Sequence, residues 1–120
     1  MDKLGREEFF YSIIDGDLEL AQDLIRTVAD FNYQDRNGYS YLHAAVQSEM
    51  QEIIALLIEK GVDINSQDKF GRTPLMVALI YHQDNKEMIS YLINHGADPT
   101  IKTIKGVSCK ELAKRNGIDI

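Results

Sequence analysis

Three histidines, one cysteine, nineteen acids and one glycine loop are the features of this 120-residue chain that could carry chemistry. The loop, DKFGRTP at 68–74, has the look of a phosphate cradle. It lacks the Lys-Ser/Thr ending of a P-loop and the three glycines of a dinucleotide fingerprint, so a structural turn explains Gly71. His43, His82 and His95 are scattered, with no carboxylate or cysteine at metal-ligand spacing. Cys109 falls at a predicted helix start, where a thiol pKa can drop, but no histidine is expected beside it to act as base. No pair of acids stands out as an acid/base couple. The expectation is a protein without catalytic residues, cofactor or metal.

The elements that hold these residues recur. Asp35 and Asp68 are 33 positions apart, as are Gly38 and Gly71, Leu42 and Leu75, and Ala45 and Ala78. EKGVDIN (59–65) returns as NHGADPT (94–100), now 35 positions on, which places two extra residues near HQDNK (82–86). Asp30 and Asn32 precede Asp63 and Asn65 by the same 33, and Asp2 and Gly5 precede Asp35 and Gly38. A period in this range marks a stacked array, because one helix pair cannot bury both of its faces alone. Within a period, Asp-x-x-Gly signals a tight turn. Thr73 can cap a helix whose first residue is Pro74. Leu75, Ala78 and Leu79 supply an apolar face at helical spacing. Second helices are predicted over 51–59 and 86–93, with Gly61 and Gly96 just beyond them as left-handed C′ residues. Val28 stands where that glycine would be in the first period, so its turn should be less regular.

The period and the wording D-x-x-G-x-T-P-L resemble the ankyrin repeat, over essentially the whole chain. The resemblance implies an all-α solenoid of stacked helix-turn-helix units with hairpin-like tips. It divides the chain 1–120 into units 2–34, 35–67, 68–102 and a partial 103–120 within a single domain. Charged residues at both ends, Glu7, Glu8, Asp17, Glu19 and Asp23 in the first unit and Lys110, Glu111, Lys114 and Arg115 in the last, suit capping units. The chain ends before a fourth second helix, so either the third unit keeps an exposed flank or the chain is truncated. The resemblance also makes His43 a structural residue that bonds the turn backbone, and it makes the tips and the exposed side of each first helix a binding face.

Carried over position by position, that face comprises Lys3, Leu4, Arg6, Ile14, Asp15 and Gln34, then Arg36, Asn37, Tyr39, Gln47, Ser48 and Gln67. Lys69, Phe70, Arg72, Ile80, Tyr81 and Lys102 follow, with Ile104, Lys105, Val107, Arg115 and Asn116 in the last unit. It holds eight of the thirteen bases and one of the nineteen acids, so +7 sits here and −13 on the remainder of a chain whose net charge is −6. Tyr39, Phe70 and Tyr81 lie among the bases, and aromatic and arginine side chains are the types enriched at interface hot spots. The expected contact residues are Arg36, Asn37, Tyr39, Lys69, Phe70, Arg72, Tyr81, Lys102 and Lys105.

The function expected is non-enzymatic recognition of another protein bearing an acidic patch, by a monomer. An inhibitor or a toxin-immunity protein is the specific form suggested by a small array. The alternative is nucleic-acid binding by the same face, which the −13 remainder opposes. The 44% apolar and 27% charged composition is ordinary for a soluble fold. No apolar run reaches the roughly 18 residues of a membrane span. The start, MDKLGREEFF, is no secretory signal. A lone cysteine cannot form an internal disulfide, which points to the cytoplasm.

Overall fold

The Asp-x-x-Gly turns at 35–38 and 68–71 form hairpin-like tips, and a pair of helices follows each. A computed structural model of the chain describes residues 5–120. In the tip at 35–39, Asp35 Oδ1 accepts the amides of Asn37 (2.8 Å) and Tyr39 (2.9 Å). In the next, Asp68 Oδ1 accepts those of Phe70 and Arg72, both at 2.9 Å. Thr103 takes the same place in the third tip, with its hydroxyl facing the amides of Lys105 and Val107. Among the described residues the β structure is limited to isolated antiparallel bridges, Gln34 with Ser40 and Lys102 with Ser108. The chain is thus an all-α solenoid, as its repeat implied.

The helices are α1 (Arg6–Ile14), α2 (Leu18–Leu24), α3 (Tyr41–Gln47), α4 (Gln51–Glu59), α5 (Pro74–Tyr81), α6 (Lys86–Asn94) and α7 (Cys109–Arg115). Ser40, Thr73 and Ser108 cap the first helices that follow their tips, each accepting a backbone amide three residues on. Helix α4 ends in a Schellman turn: the Gly61 amide donates to Ile58 O and the Val62 amide to Leu57 O. Helix α6 ends the same way at Gly96 and Ala97. Helix α2 has no glycine there and is shorter, and Val28 turns inward to be buried. The two inserted residues are shared: α5 is one residue longer than α3, and the loop after it is one residue longer too.

The first helices α1, α3, α5 and α7 pack in one row, and α2 packs on α4 behind it, in an array 42 Å long. Phe9, Tyr41, Leu42, Leu75 and Leu79 are fully or almost fully buried between the rows. Helix α6 is flanked not by bare solvent alone but by the tail, whose Ile118 and Ile120 pack half-buried against the core.

The tips stack through their backbones. The Lys69 amide donates to Asn37 O (2.9 Å) and the Ile104 amide to Phe70 O (3.0 Å). This closeness is why Gly71, at φ +81°, tolerates no side chain: a Cβ would stand 2.8 Å from Ile104 N and 2.9 Å from Thr103 Cα. Two amide side chains lace the same seam. Gln34 Nε2 donates to Gly38 O and Gln67 O, and Gln67 Nε2 to Gly71 O and Lys102 O. Gln34 and Gln67, expected on the binding face, are therefore ties between tips. Deeper in, Asn32 Oδ1 accepts the Asp63 amide and Asn65 Oδ1 the Asp98 amide.

Candidate functional site

The concave side is built from the tips and the exposed ends of the first helices. It holds a shallow depression of about 350 Å³. Helices α1, α3 and α5 contribute Phe10, Ile14, Gln47 and Tyr81. The tips at 35–39 and 68–72 contribute Asn37, Tyr39, Lys69, Phe70 and Arg72 together with Asp35. Six of the nine expected contact residues therefore meet around one hollow: Asn37, Tyr39, Lys69, Phe70, Arg72 and Tyr81. Arg36, Lys102 and Lys105 are exposed but lie outside its lining. Lys3 and Leu4 lie outside the described residues. Phe10 and Asp35 line the hollow without having been expected there. The turn pattern accounts for Asp35 through its backbone role alone, so its place in the hollow shows only in the fold.

Phe70 stands 47% exposed in the lining of the hollow with two cations near its ring. Lys69 Nζ and Arg72 Cζ each lie 5.1 Å from its ring centroid, within cation–π range. Arg72 is not the dispensable surface residue that its variable position suggested. Its Nε donates to Asp68 Oδ2 at 2.7 Å, and the Asp68 side chain is 1% exposed. Partial burial is the largest single influence and works against the guanidinium's charge, but the hydrogen bond to Asp68 and the charge of that carboxylate together outweigh it and the pKa is raised. One positive charge of the face is thus partnered at its root by a buried acid. Among the described residues, Lys69 Nζ and the terminal nitrogens of Arg72 take no hydrogen bond or ion pair. Arg6, counted with the face, is half-buried with its guanidinium over Tyr33.

Tyr39 forms the floor. Its hydroxyl donates to Gln47 Oε1 at 2.5 Å, and its ring stacks on His43 at 4.8 Å. Burial raises the phenol's pKa strongly, so it stays neutral. His43 beneath it is fully buried and tied at both nitrogens. The Ser40 amide donates to Nδ1 (3.1 Å), and Nε2 lies 2.7 Å from Arg72 O. The ring is therefore the neutral Nε2–H tautomer, a brace between the tips at 35–39 and 68–72, as the resemblance implied. Burial lowers its pKa, against the pull of the Arg72 carbonyl.

The other candidate groups are structural. His82 Nε2 is 2.6 Å from Gln47 O and Nδ1 is 3.1 Å from Glu49 Oε1, so it links consecutive inter-helix loops. His95 bonds Tyr91 O and stacks on the Tyr91 ring. Cys109 is buried against Thr73, and burial pushes its thiol up to about 11, far from a nucleophilic thiolate. Asp30, Asp63 and Asp98 each accept a backbone amide two residues on. Among the described residues, no three His, Cys, Asp or Glu side chains gather as metal ligands. No helix among them is long and apolar enough to cross a membrane.

Comparison with known proteins agrees with this geometry. The family model "Ankyrin repeats (3 copies)" matches residues 9–103. The chain is 37% identical over 87 residues to ankyrin repeat-containing protein P1E11.10 of Schizosaccharomyces pombe, covering 72% of this chain and 40% of that protein. It is 36% identical over 84 residues to human BCL-6 corepressor-like protein 1, covering 70% of this chain and 5% of that one. It is 33% identical over 107 residues to ankyrin repeat and KH domain-containing protein mask-1 of Caenorhabditis elegans, covering 88% and 4%. The chain thus spans less than half the length of each of these relatives.

Proposed function

Because the chain belongs to the ankyrin-repeat family, whose arrays are protein–protein interaction modules, we propose that it binds a partner protein through the concave hollow and the basic tips beside it. The observation that carries this reading is the exposed Phe70 ring with two cations near it whose terminal nitrogens are unpaired, set in one hollow with Tyr39 and Tyr81. The Lys69 ammonium and the outer nitrogens of Arg72 attract an acidic surface and speed its encounter, while desolvated aromatics supply affinity. Arg36, Asn37, Lys102 and Lys105 extend the contact along the tips. The partner's matching surface is acidic with apolar projections, and the chain meets it as a monomer. The compartment we infer is the cytoplasm, supported by a lone cysteine held as a buried thiol.

The finer reading is an inhibitor, including an immunity protein that neutralises a toxin. Its support is the mode of binding: a rigid array laid over a partner's cleft obstructs it. The test is affinity capture from the native cell with mass spectrometry, using wild type beside a variant with Arg36 and Lys69 changed to Glu. One dominant partner held by wild type and lost by the variant is expected. Capture that ignores the reversal would move the interface elsewhere. Adding the chain to the captured partner then decides the finer reading, because an inhibitor lowers that partner's activity in proportion and a scaffold leaves it unchanged.

The basic, aromatic face also suits stacked bases. A filter-binding titration with single-stranded oligonucleotides separates that alternative, since phosphate contacts give affinity that falls steeply with salt.

A further inference from the structure

Resting on the reading that the concave face binds protein, we propose that the hollow takes one extended acidic segment of the partner, seating a bulky apolar side chain among Ile14, Phe70 and Tyr81 and the adjacent carboxylate on Lys69 and Arg72.

The size of the hollow limits its occupant. About 350 Å³ is at the small end of ligand sites, enough for a side chain and its backbone rather than a whole element. The apolar part of its wall is already exposed: Ile14 at 37%, Phe70 at 47% and Tyr81 at 53%. Burying one large apolar side chain against such walls contributes free energy in proportion to the area covered.

The charged end is pre-oriented. Arg72 spends Nε on the buried Asp68 and rests on the Phe70 ring, so its guanidinium is held in place before any partner arrives. The edge formed by its two terminal nitrogens remains for a carboxylate, the geometry of a bidentate pair. Lys69 supplies a second charge on the same ring. Holding the fork in advance lowers the ordering cost of binding. Asp35, at the neighbouring tip, repels a carboxylate and leaves the Lys69–Arg72 end as its place. Charge complementarity therefore fixes both the chemistry and the direction of the segment.

Three blocked hexapeptides test this, with binding read from the backbone amide signals of the labelled protein. The first has Glu-Phe-Asp at its centre, the second replaces Phe by Ala, and the third replaces both acids by Gln. The first should shift the amides of Lys69, Phe70, Arg72 and Tyr81 with a Kd of about 1 mM or tighter. The other two should bind about tenfold more weakly, as should the first peptide with the Phe70→Ala or Lys69→Ala protein. Both substitutions are at exposed positions, and a thermal melt confirms that each variant folds. Equal binding by the alanine peptide would overturn the anchored segment while leaving a basic protein-binding face. No shift from any peptide at several millimolar would overturn it too, and partner capture by the concave face would then stand or fall separately. Shifts confined to α2, α4 and α6 would contradict both readings. Shifts at the hollow from an oligonucleotide alone would replace the peptide with a polyanion.

Discussion

At the scale of single residues, the groups that first suggested chemistry are braces, and their protonation follows from that role. His43 accepts from the Ser40 amide at Nδ1 and reaches the Arg72 carbonyl with Nε2. A proton on Nδ1 would remove the first bond and place a charge in the core. Burial accordingly lowers its pKa below the usual 6.5. A histidine depressed in the folded state binds its proton more readily when unfolded. Its contribution is therefore complete above about pH 6.5 and is lost as pH falls toward the lowered folded value. Urea melts between pH 7.5 and 5 should show falling stability, and His43→Gln should flatten that slope while lowering stability at neutral pH. An unchanged slope would assign the acid sensitivity to other groups. Family resemblance made the role of His43 legible. The Arg72–Asp68 pair was open to view at i, i+4 spacing. A variable turn position carries no repeat signal that its side chain is tied, so spacing alone does not single the pair out.

At the scale of elements, helix ends were the most legible feature. Thr73-Pro74 and the glycines after α4 and α6 are local signals, and local signals survive without knowledge of the neighbours. The bounds of α4 came out as expected, and those of α6 differ by one residue. What a single period could not reveal is contact between periods. Gln34 and Gln67 bond carbonyls of the following tip, a role set by a partner segment 33 to 35 positions away. Their own 33-residue spacing was the available signal. The same closeness makes a testable contrast between two glycines. Gly61, at φ +83°, has open space where a Cβ would go, so Gly61→Ala should cost only the left-handed backbone strain of about 1 kcal/mol. Gly71→Ala adds a collision with the Thr103–Ile104 backbone and should cost about 3 kcal/mol, because the third tip must shift. Denaturant melts measure both, and equal losses would mean that the tips are not packed as tightly as their hydrogen bonds indicate.

At the scale of the whole molecule, the array is polar in charge as well as in shape. Of the bases that the repeat register gathers at the tips and first helices, Lys69 and Arg72 line the hollow. Glu19, Asp23, Glu52, Glu59 and Glu87 are carried by the second helices on the other side. This separation is invisible in a net charge of −6 and appears only once the period is known. The structure tempers it, since Asp68 partners Arg72 and Arg6 rests on Tyr33, yet Lys69 and the outer edge of Arg72 remain for a partner. The period could group the tip and first-helix positions, six of whose nine expected contact residues line the hollow. The hollow itself depends on how the tips sit beside α1, α3 and α5, and that follows from packing rather than spacing. The most direct measurement is the affinity of the captured partner for two variants, Lys69→Glu on the concave side and Glu87→Lys on α6, across a range of salt. Lys69→Glu should weaken binding about tenfold at low salt, with the loss shrinking as salt rises, while Glu87→Lys leaves it within about twofold. Full binding by Lys69→Glu together with loss in Glu87→Lys would contradict the concave site.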